Sequence, residues 1–431
     1  MKRVAIFTLI VSVVIVASVA PVQAQLRGHG GPVKSLAVSP DGTFVLSGSF
    51  DSSAIRWSLA KNSAEQVLRF HESAVNAVVV ITGGKLATAG EDGQVAIWDD
   101  GKPAPSVILK GHTAPVVALA ASPDGKWIAS ASWDRSIRLA PVAGGETQVL
   151  QGHKDNVNGL AFTSDGSALV SAGYDLTIRV WTLAKIESPL IVTLPSPLNS
   201  IAVATDGEVI ASGADGKVYF VSPSGELRGS VEAAATPVIS LAISADGNYI
   251  AAAAIAGSVA IIDRKERKLL RTLVGPGLPV WSVAFTSDSK TLITGGADRL
   301  VRRWDVASGE HLGQVAMQGP DNPLAAYEGD RGAEVYKACV ACHTLSPDEG
   351  NRAGPTLHGI FGRKIATQPG YQFSDALKKM DIVWTPETVA KLFAVGPMAY
   401  TPGTKMPEQK IVSEQDRKAL IEFLLKATTK K

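Results

Sequence analysis

The sequence predicts two domains of different class, a large all-β array of seven repeats followed by a small all-α domain. Three observations predict this. Histidines recur at His29, His71, His112 and His153, at intervals of 42, 41 and 41 residues, and a fixed period of that size marks a repeat architecture. Between turn signals run short alternating β-branched segments, such as Phe44-Val45-Leu46-Ser47 and Val116-Val117-Ala118-Leu119, which read as strands. The Gly/Pro-rich break Gln318-Gly319-Pro320-Asp321-Asn322-Pro323 ends the β pattern, and helical patterning follows it.

The chain has 431 residues, long enough for one large and one small domain. Its formal net charge of +2, with no dense basic stripe carrying interleaved aromatics, sets nucleic acid aside as a partner. Lys2 and Arg3 precede an almost unbroken apolar run from Val4 to Ala20, and Val22-Gln23-Ala24 offers small residues for cleavage. Residues 1–24 therefore read as a secretory signal peptide, with Gln25 beginning the mature chain and the periplasm as destination. No membrane contact is expected unless that segment stays attached. No later stretch has the length to span a bilayer.

The array can be followed repeat by repeat. A turn aspartate recurs at Asp41, Asp124, Asp165, Asp206, Asp246 and Asp288. A second aspartate follows about ten residues later, at Asp51, Asp92, Asp134, Asp175, Asp215 and Asp298. Four residues before it stands Ser47, Thr88, Ser130, Ser171 or Thr294, and six residues after it Trp57, Trp98, Trp181 or Trp304. This resembles the WD-repeat family, whose repeats are four-stranded propeller blades. The resemblance implies a buried hydrogen-bonded chain in each blade, made here by His29, Ser47, Asp51 and Trp57; by His71, Thr88, Asp92 and Trp98; and by His153, Ser171, Asp175 and Trp181. The third repeat keeps His112, Ser130 and Asp134 but has Ala140 at the tryptophan position, while the fifth and sixth place Val221 and Ile262 there and are expected to pack by apolar contact.

Seven units make seven blades over residues 25–318. Only Gln25, Leu26 and Arg27 precede the first Gly28-His29, too few for a strand of ordinary length. Each blade is therefore expected to be contiguous, with Glu310 to Met317 finishing the last. The repeated histidines and aspartates occupy architectural positions and only His311 is left over, so the propeller reads as a surface for docking a partner protein.

The chemistry lies in Cys339-Val340-Ala341-Cys342-His343. Two thiols at this spacing can each add to one of the two vinyl groups of haem, with the adjacent imidazole beneath the iron. A zinc knuckle needs further ligands, a redox dithiol needs a βαβ setting, and these are the only two cysteines, so no disulfide framework is possible. One covalent haem c is the expected cofactor. Gly329 to Ala338 reads as a helix leading into Cys339, and Glu414 to Lys426 as a second, with Ser413 as N-cap and Leu420, Ile421, Phe423 and Leu424 on its apolar face.

Beyond a linker at 319–326, residues 327–431 resemble a class I cytochrome c of the mitochondrial and c2-like type, carried by Gly354-Pro355-Thr356-Leu357-His358-Gly359-Ile360-Phe361-Gly362-Arg363-Lys364 and Tyr400-Thr401-Pro402-Gly403-Thr404-Lys405-Met406. The resemblance implies that His343 and Met406 are the axial ligands of the haem iron, that the Pro355 carbonyl takes the imidazole N–H, and that Trp384 bonds a haem propionate. It also implies that Gly332 and Phe423 meet where the terminal helices cross. Met398 competes with Met406 for the sixth position, and His358 would make a bis-histidine haem but lies close in sequence to His343. Lys337, Lys364, Lys405 and Lys410 flank the expected haem edge and could steer an acidic redox partner. The expected function is periplasmic transfer of single electrons to or from partner proteins, without catalysis. The alternative is an enzyme, either a haem peroxidase in which Met406 dissociates or a propeller oxidoreductase feeding the haem.

Overall fold

A computed structural model of the chain describes residues 26–274, 279–312, 324–337, 339–340, 343–345, 354–369, 371, 373–404, 406 and 410–428. The signal peptide, the start at Gln25, residues 319–323 of the linker, Cys342 and Lys405 lie outside the described residues. No helix among those described is long and apolar enough to cross a membrane.

Seven four-stranded antiparallel sheets form a seven-bladed propeller. The first blade runs Val33–Val38, Phe44–Ser49, Ser53–Ser58 and Ser63–Arg69. The next five span residues 75–109, 116–150, 157–193, 198–232 and 238–274. The two aspartate series make the turns. Asp41, Asp124, Asp165, Asp206, Asp246 and Asp288 each accept the backbone N–H two residues on, closing the turn between the first and second strands. Asp51, Asp92, Asp134, Asp175, Asp215 and Asp298 do the same between the second and third.

Apolar packing lies between neighbouring blades. One cluster joins Ile210 and Phe220 of the fifth blade to Ile250 and Ile262 of the sixth, and another joins Val45 and Ile55 of the first to Ile293 and Val301 of the last. A single sheet is apolar on both faces here because each face meets another blade.

The ring closes differently from the sequence expectation. Leu26–Arg27 pairs antiparallel with Leu300 and Val301, giving the last blade an outer strand from the N-terminus. Two residues suffice because Leu26 is buried in the inter-blade cluster with Trp57 and Val301, which anchors the short pairing by its side chain. On the C-terminal side His311 bridges Trp304 and the Leu312 N–H donates to the Arg303 carbonyl, while residues 313–317 of the expected closing segment lie outside the described residues. The last blade's edge is thus shared by both ends of the array, not completed by its own chain alone. Ser282 adds a further link across the seam, accepting the Leu36 N–H at 2.9 Å.

The fifth and sixth blades bury Val221 and Ile262 as expected, but they are not purely apolar. Tyr219 donates its hydroxyl to Asp215 at 2.5 Å, replacing a histidine. Arg264 binds Asp206 and Glu208, each at 2.9 Å, across the two blades.

The C-terminal domain is helical: α1 (Arg331–Tyr336), α2 (Asp375–Lys378), α3 (Pro386–Val395), α4 (Pro397–Tyr400) and α5 (Glu414–Thr428). Asp330 caps α1 by accepting the Gly332 and Ala333 N–H groups, and Ser413 caps α5 by accepting that of Asp416. These helices cross where Gly332 meets α5; a Cβ there would lie 2.1 Å from the Ala419 carbonyl oxygen and 2.5 Å from the Phe423 Cβ. Phe423 packs its ring on Tyr327 and Tyr336.

Candidate haem site

In three propeller blades the full hydrogen-bonded chain is present. The Trp57 indole N–H donates to Ser47 at 2.7 Å, the Ser47 hydroxyl donates to His29 Nε2 at 2.7 Å, and His29 Nδ1–H donates to Asp51 at 3.0 Å. The same order holds for Trp98, Thr88, His71 and Asp92, and for Trp181, Ser171, His153 and Asp175. His112, Ser130 and Asp134 make the shortened version, with Ala140 buried in place of the indole. These side chains satisfy one another inside their blades and are architectural.

The C-terminal domain contains the crevice that brings the sequence-predicted site residues together: Cys339, His343, Pro355, Trp384 and Met406 all line it. A helical turn sets the first two. The Cys339 N–H donates to Tyr336 at the end of α1, and the His343 N–H donates to the Cys339 carbonyl at 2.9 Å, which places Cys339 and His343 on one face. His343 Nδ1–H then donates to the Pro355 carbonyl at 2.7 Å. That bond fixes the tautomer, so Nε2 keeps its lone pair for a metal. Gly354 permits the approach, since a Cβ there would lie 2.4 Å from the ring. Arg363 braces the same loop by donating to the Thr356 carbonyl at 2.8 Å.

Trp384 is held in place by reciprocal backbone bonds, Gly362 N–H to Trp384 and Trp384 N–H to Arg363. Met406 sits on a loop following α4, where Thr404 accepts the Met406 N–H at 3.1 Å and Ser374 donates to the Gly403 carbonyl at 2.7 Å. Gly403 has φ +82°, the left-handed region that suits glycine. Met398 is instead 65% exposed, and neither it nor His358 lines the crevice.

Burial pushes the Cys339 thiol up to about 12, so it carries no charge, as a thioether would not. Burial also pushes His343 down, against the Pro355 bond that raises it, which favours the neutral ligating imidazole. A neutral, oriented imidazole, a thiol one helical turn away and a thioether sulfur in the same largely apolar crevice fit a haem. Of the flanking lysines, Lys337 pairs with Glu334 and Lys364 with Asp381.

Sequence reasoning missed the short helices α2, α3 and α4 and several crevice residues. For α3 the signal was present: Thr385 accepts the Thr388 N–H in a capping box and Pro386 opens the helix. The crevice wall also includes Leu377, Leu392 and Phe393. Arg69 and Asp51 of the first propeller blade line it too, which no local motif foretells.

Comparison with known proteins agrees with both halves. The family described as "WD domain, G-beta repeat" matches residues 21–58, 62–99, 104–139, 144–182 and 267–305, and the family described as "Cytochrome c" matches residues 329–428. A "Cytochrome c" of Arabidopsis thaliana is 42% identical over 113 residues, covering 26% of this chain and 99% of that protein. A "Cytochrome c" of Cochliobolus lunatus is 42% identical over 104 residues, covering 23% and 95%. A "Cytochrome c2" of Blastochloris viridis is 39% identical over 102 residues, covering 24% and 80%.

The fold and crevice define an electron-transfer haem protein with a propeller scaffold. Through its C-terminal domain the chain belongs to the cytochrome c family, joined here to a propeller of WD repeats. That family implies covalently bound haem c.

Proposed function

We propose that this chain is a periplasmic carrier of single electrons, exported by residues 1–24 and loaded with one haem c at Cys339 and Cys342. His343 and Met406 would hold the haem iron, and Trp384 would bond a haem propionate. The bound haem supplies a one-electron couple, raised in potential by His/Met ligation. The protein's own work is positional. Pro355 holds the His343 ring in its ligating tautomer, the Met406 loop is tied down through Ser374 and Thr404, and the apolar walls exclude water. With His343 and Met406 both bound to it, the iron would be closed to substrate, and the haem would supply outer-sphere electron transfer through its edge. The propeller docks the domain to its redox partner.

The observation that supports this reading best is the convergence of His343 and Met406 on one crevice while Met398 points to solvent. The test is to express the full chain with a haem-maturation system, fractionate the cells and titrate the product. A periplasmic protein with the mass of one added haem and a single one-electron Nernst curve is expected. A cytoplasmic product, no haem, or turnover of peroxide at enzymatic rates would overturn the proposal.

A further inference from the structure

The haem crevice does not belong to one domain alone. Arg69, the last residue of the outer strand of the first propeller blade, lines it together with His343, Trp384 and Met406, and its guanidinium carbon lies 4.7 Å from the ring centroid of Tyr371. The side chain is carried by a rigid base. Arg69 stands opposite Ser53 in the strand ladder, Ser53 donates its hydroxyl to Asp51 at 2.5 Å, and Asp51 is bonded to His29. The hydrogen-bonded chain of the first blade therefore fixes the strand end from which Arg69 reaches the cytochrome domain.

A haem carries two carboxylates, and burying a carboxylate requires a partner charge or donors. Among the described residues the cationic side chains lining this crevice are Arg69, Arg363 and Lys364; Lys364 is paired with Asp381, Arg363 also donates to the Thr356 carbonyl, and the Asp51 carboxylate lies near Arg69. Arg363 comes from the cytochrome domain and Arg69 from the propeller. A planar guanidinium suits a carboxylate, because it offers paired donors in a fixed fork.

We propose that the first blade of the propeller forms part of the haem site, with Arg69 placing its charge at the carboxylate-bearing rim of the haem and tying the redox potential to the docking of the two domains. This rests on the haem-binding reading above. A fixed cation near the haem stabilises the state with the extra electron, so it favours the reduced form. A partner that draws the domains apart removes the charge and lowers the potential, which gives the propeller a role in tuning as well as docking.

The test uses the matured full-length chain and potentiometric titration. Arg69→Gln is expected to shift the reduced-to-oxidised ratio at fixed potential about fivefold toward the oxidised form, a fall of about 40 mV at 59 mV per decade. Arg69→Lys should restore most of that shift, because it returns the charge. Tyr371→Leu, which removes the ring beneath the guanidinium, should give a smaller fall. Lys61→Gln, an exposed charge on the same blade, should leave the potential unchanged. A normal c-type spectrum with the potential of Arg69→Gln and Tyr371→Leu equal to that of the parent overturns this inference and leaves the carrier reading standing. A parent protein that takes up no haem overturns both.

Discussion

The Nδ1–H of His343 donates to the carbonyl of Pro355 across 2.7 Å, and Gly354 lies flat against the same imidazole. The chain thus orients its ligand with two adjacent residues of one loop, one through a carbonyl and one through having no side chain. Replacement of Gly354 by Ala would put a Cβ 2.4 Å from the ring carbon Cε1 and force the imidazole off the carbonyl. The expected cost is about 2–3 kcal/mol, in the range of overpacked cores. It should be read as a lower guanidinium midpoint for the haem-loaded domain at unchanged slope. A midpoint equal to the parent's would contradict the tight approach.

Ser171 is the single link between the Trp181 indole and the His153 ring, at 2.9 Å and 2.8 Å. Ser171→Ala leaves two buried polar groups without their partner, at about 1–3 kcal/mol each. Thermal unfolding of the propeller should shift down accordingly. Ser164→Ala, on an exposed turn of the same blade, should leave the melting temperature nearly unchanged.

Acid should weaken the propeller in two stages. Burial lowers His112 and His153 despite their bonds to Asp134 and Asp175, so each imidazole takes up its proton at a lower pH in the fold than in the unfolded chain, where it is protonated below about pH 6.5. Unfolded chains then bind more protons, and stability falls as pH drops below that value. Burial works to raise Asp51 and Asp134, but hydrogen bonds from His29 and Ser53 to the first, and from Ser136 and His112 to the second, hold both at about 2. Their contribution is complete above about pH 4 and is lost from there down to about 2. A melting temperature that declines from pH 7 to 5 and again below 4 is expected; a flat profile from pH 7 to 3 would contradict it.

Closure by Leu26 predicts that trimming the first strand matters. Leu26 is 1% exposed and packs with Trp57, Ile293 and Val301. Leu26→Ala should destabilise the propeller by about 2–4 kcal/mol, measured by equilibrium denaturation. Arg27→Ala, whose side chain is exposed, should cost much less. Equal effects from both would contradict anchoring by the apolar side chain.

Much of this was legible in the sequence because each blade restates its own local rules. The turn aspartates act on backbone N–H groups two residues away, and the Trp57, Ser47 and His29 chain is assembled within one sheet, so a periodic pattern suffices to find them. The haem motif is equally local, since Cys339 and His343 share one helical turn. What escaped depends on partners distant in sequence. Leu26 and Arg27 become a strand only because Leu300 and Val301 offer an open edge, a pairing that length alone argued against. Tyr219 is the exception, because it takes over a histidine's bond to Asp215 from only four residues along the chain, yet nothing at the histidine position announces it. Arg69 reaches the haem crevice from another domain, and its neighbours Leu68 and Phe70 carry no sign of that.

The most direct test of the central claim is an optical spectrum of the periplasmically matured protein, oxidised and reduced, with and without carbon monoxide, beside Met406→Ala. His343 and Met406 together predict a c-type spectrum that carbon monoxide leaves unchanged in the parent and shifts at once in the variant. A parent spectrum that shifts as readily as the variant's would mean an open sixth position, and would contradict a carrier whose iron is capped on both faces.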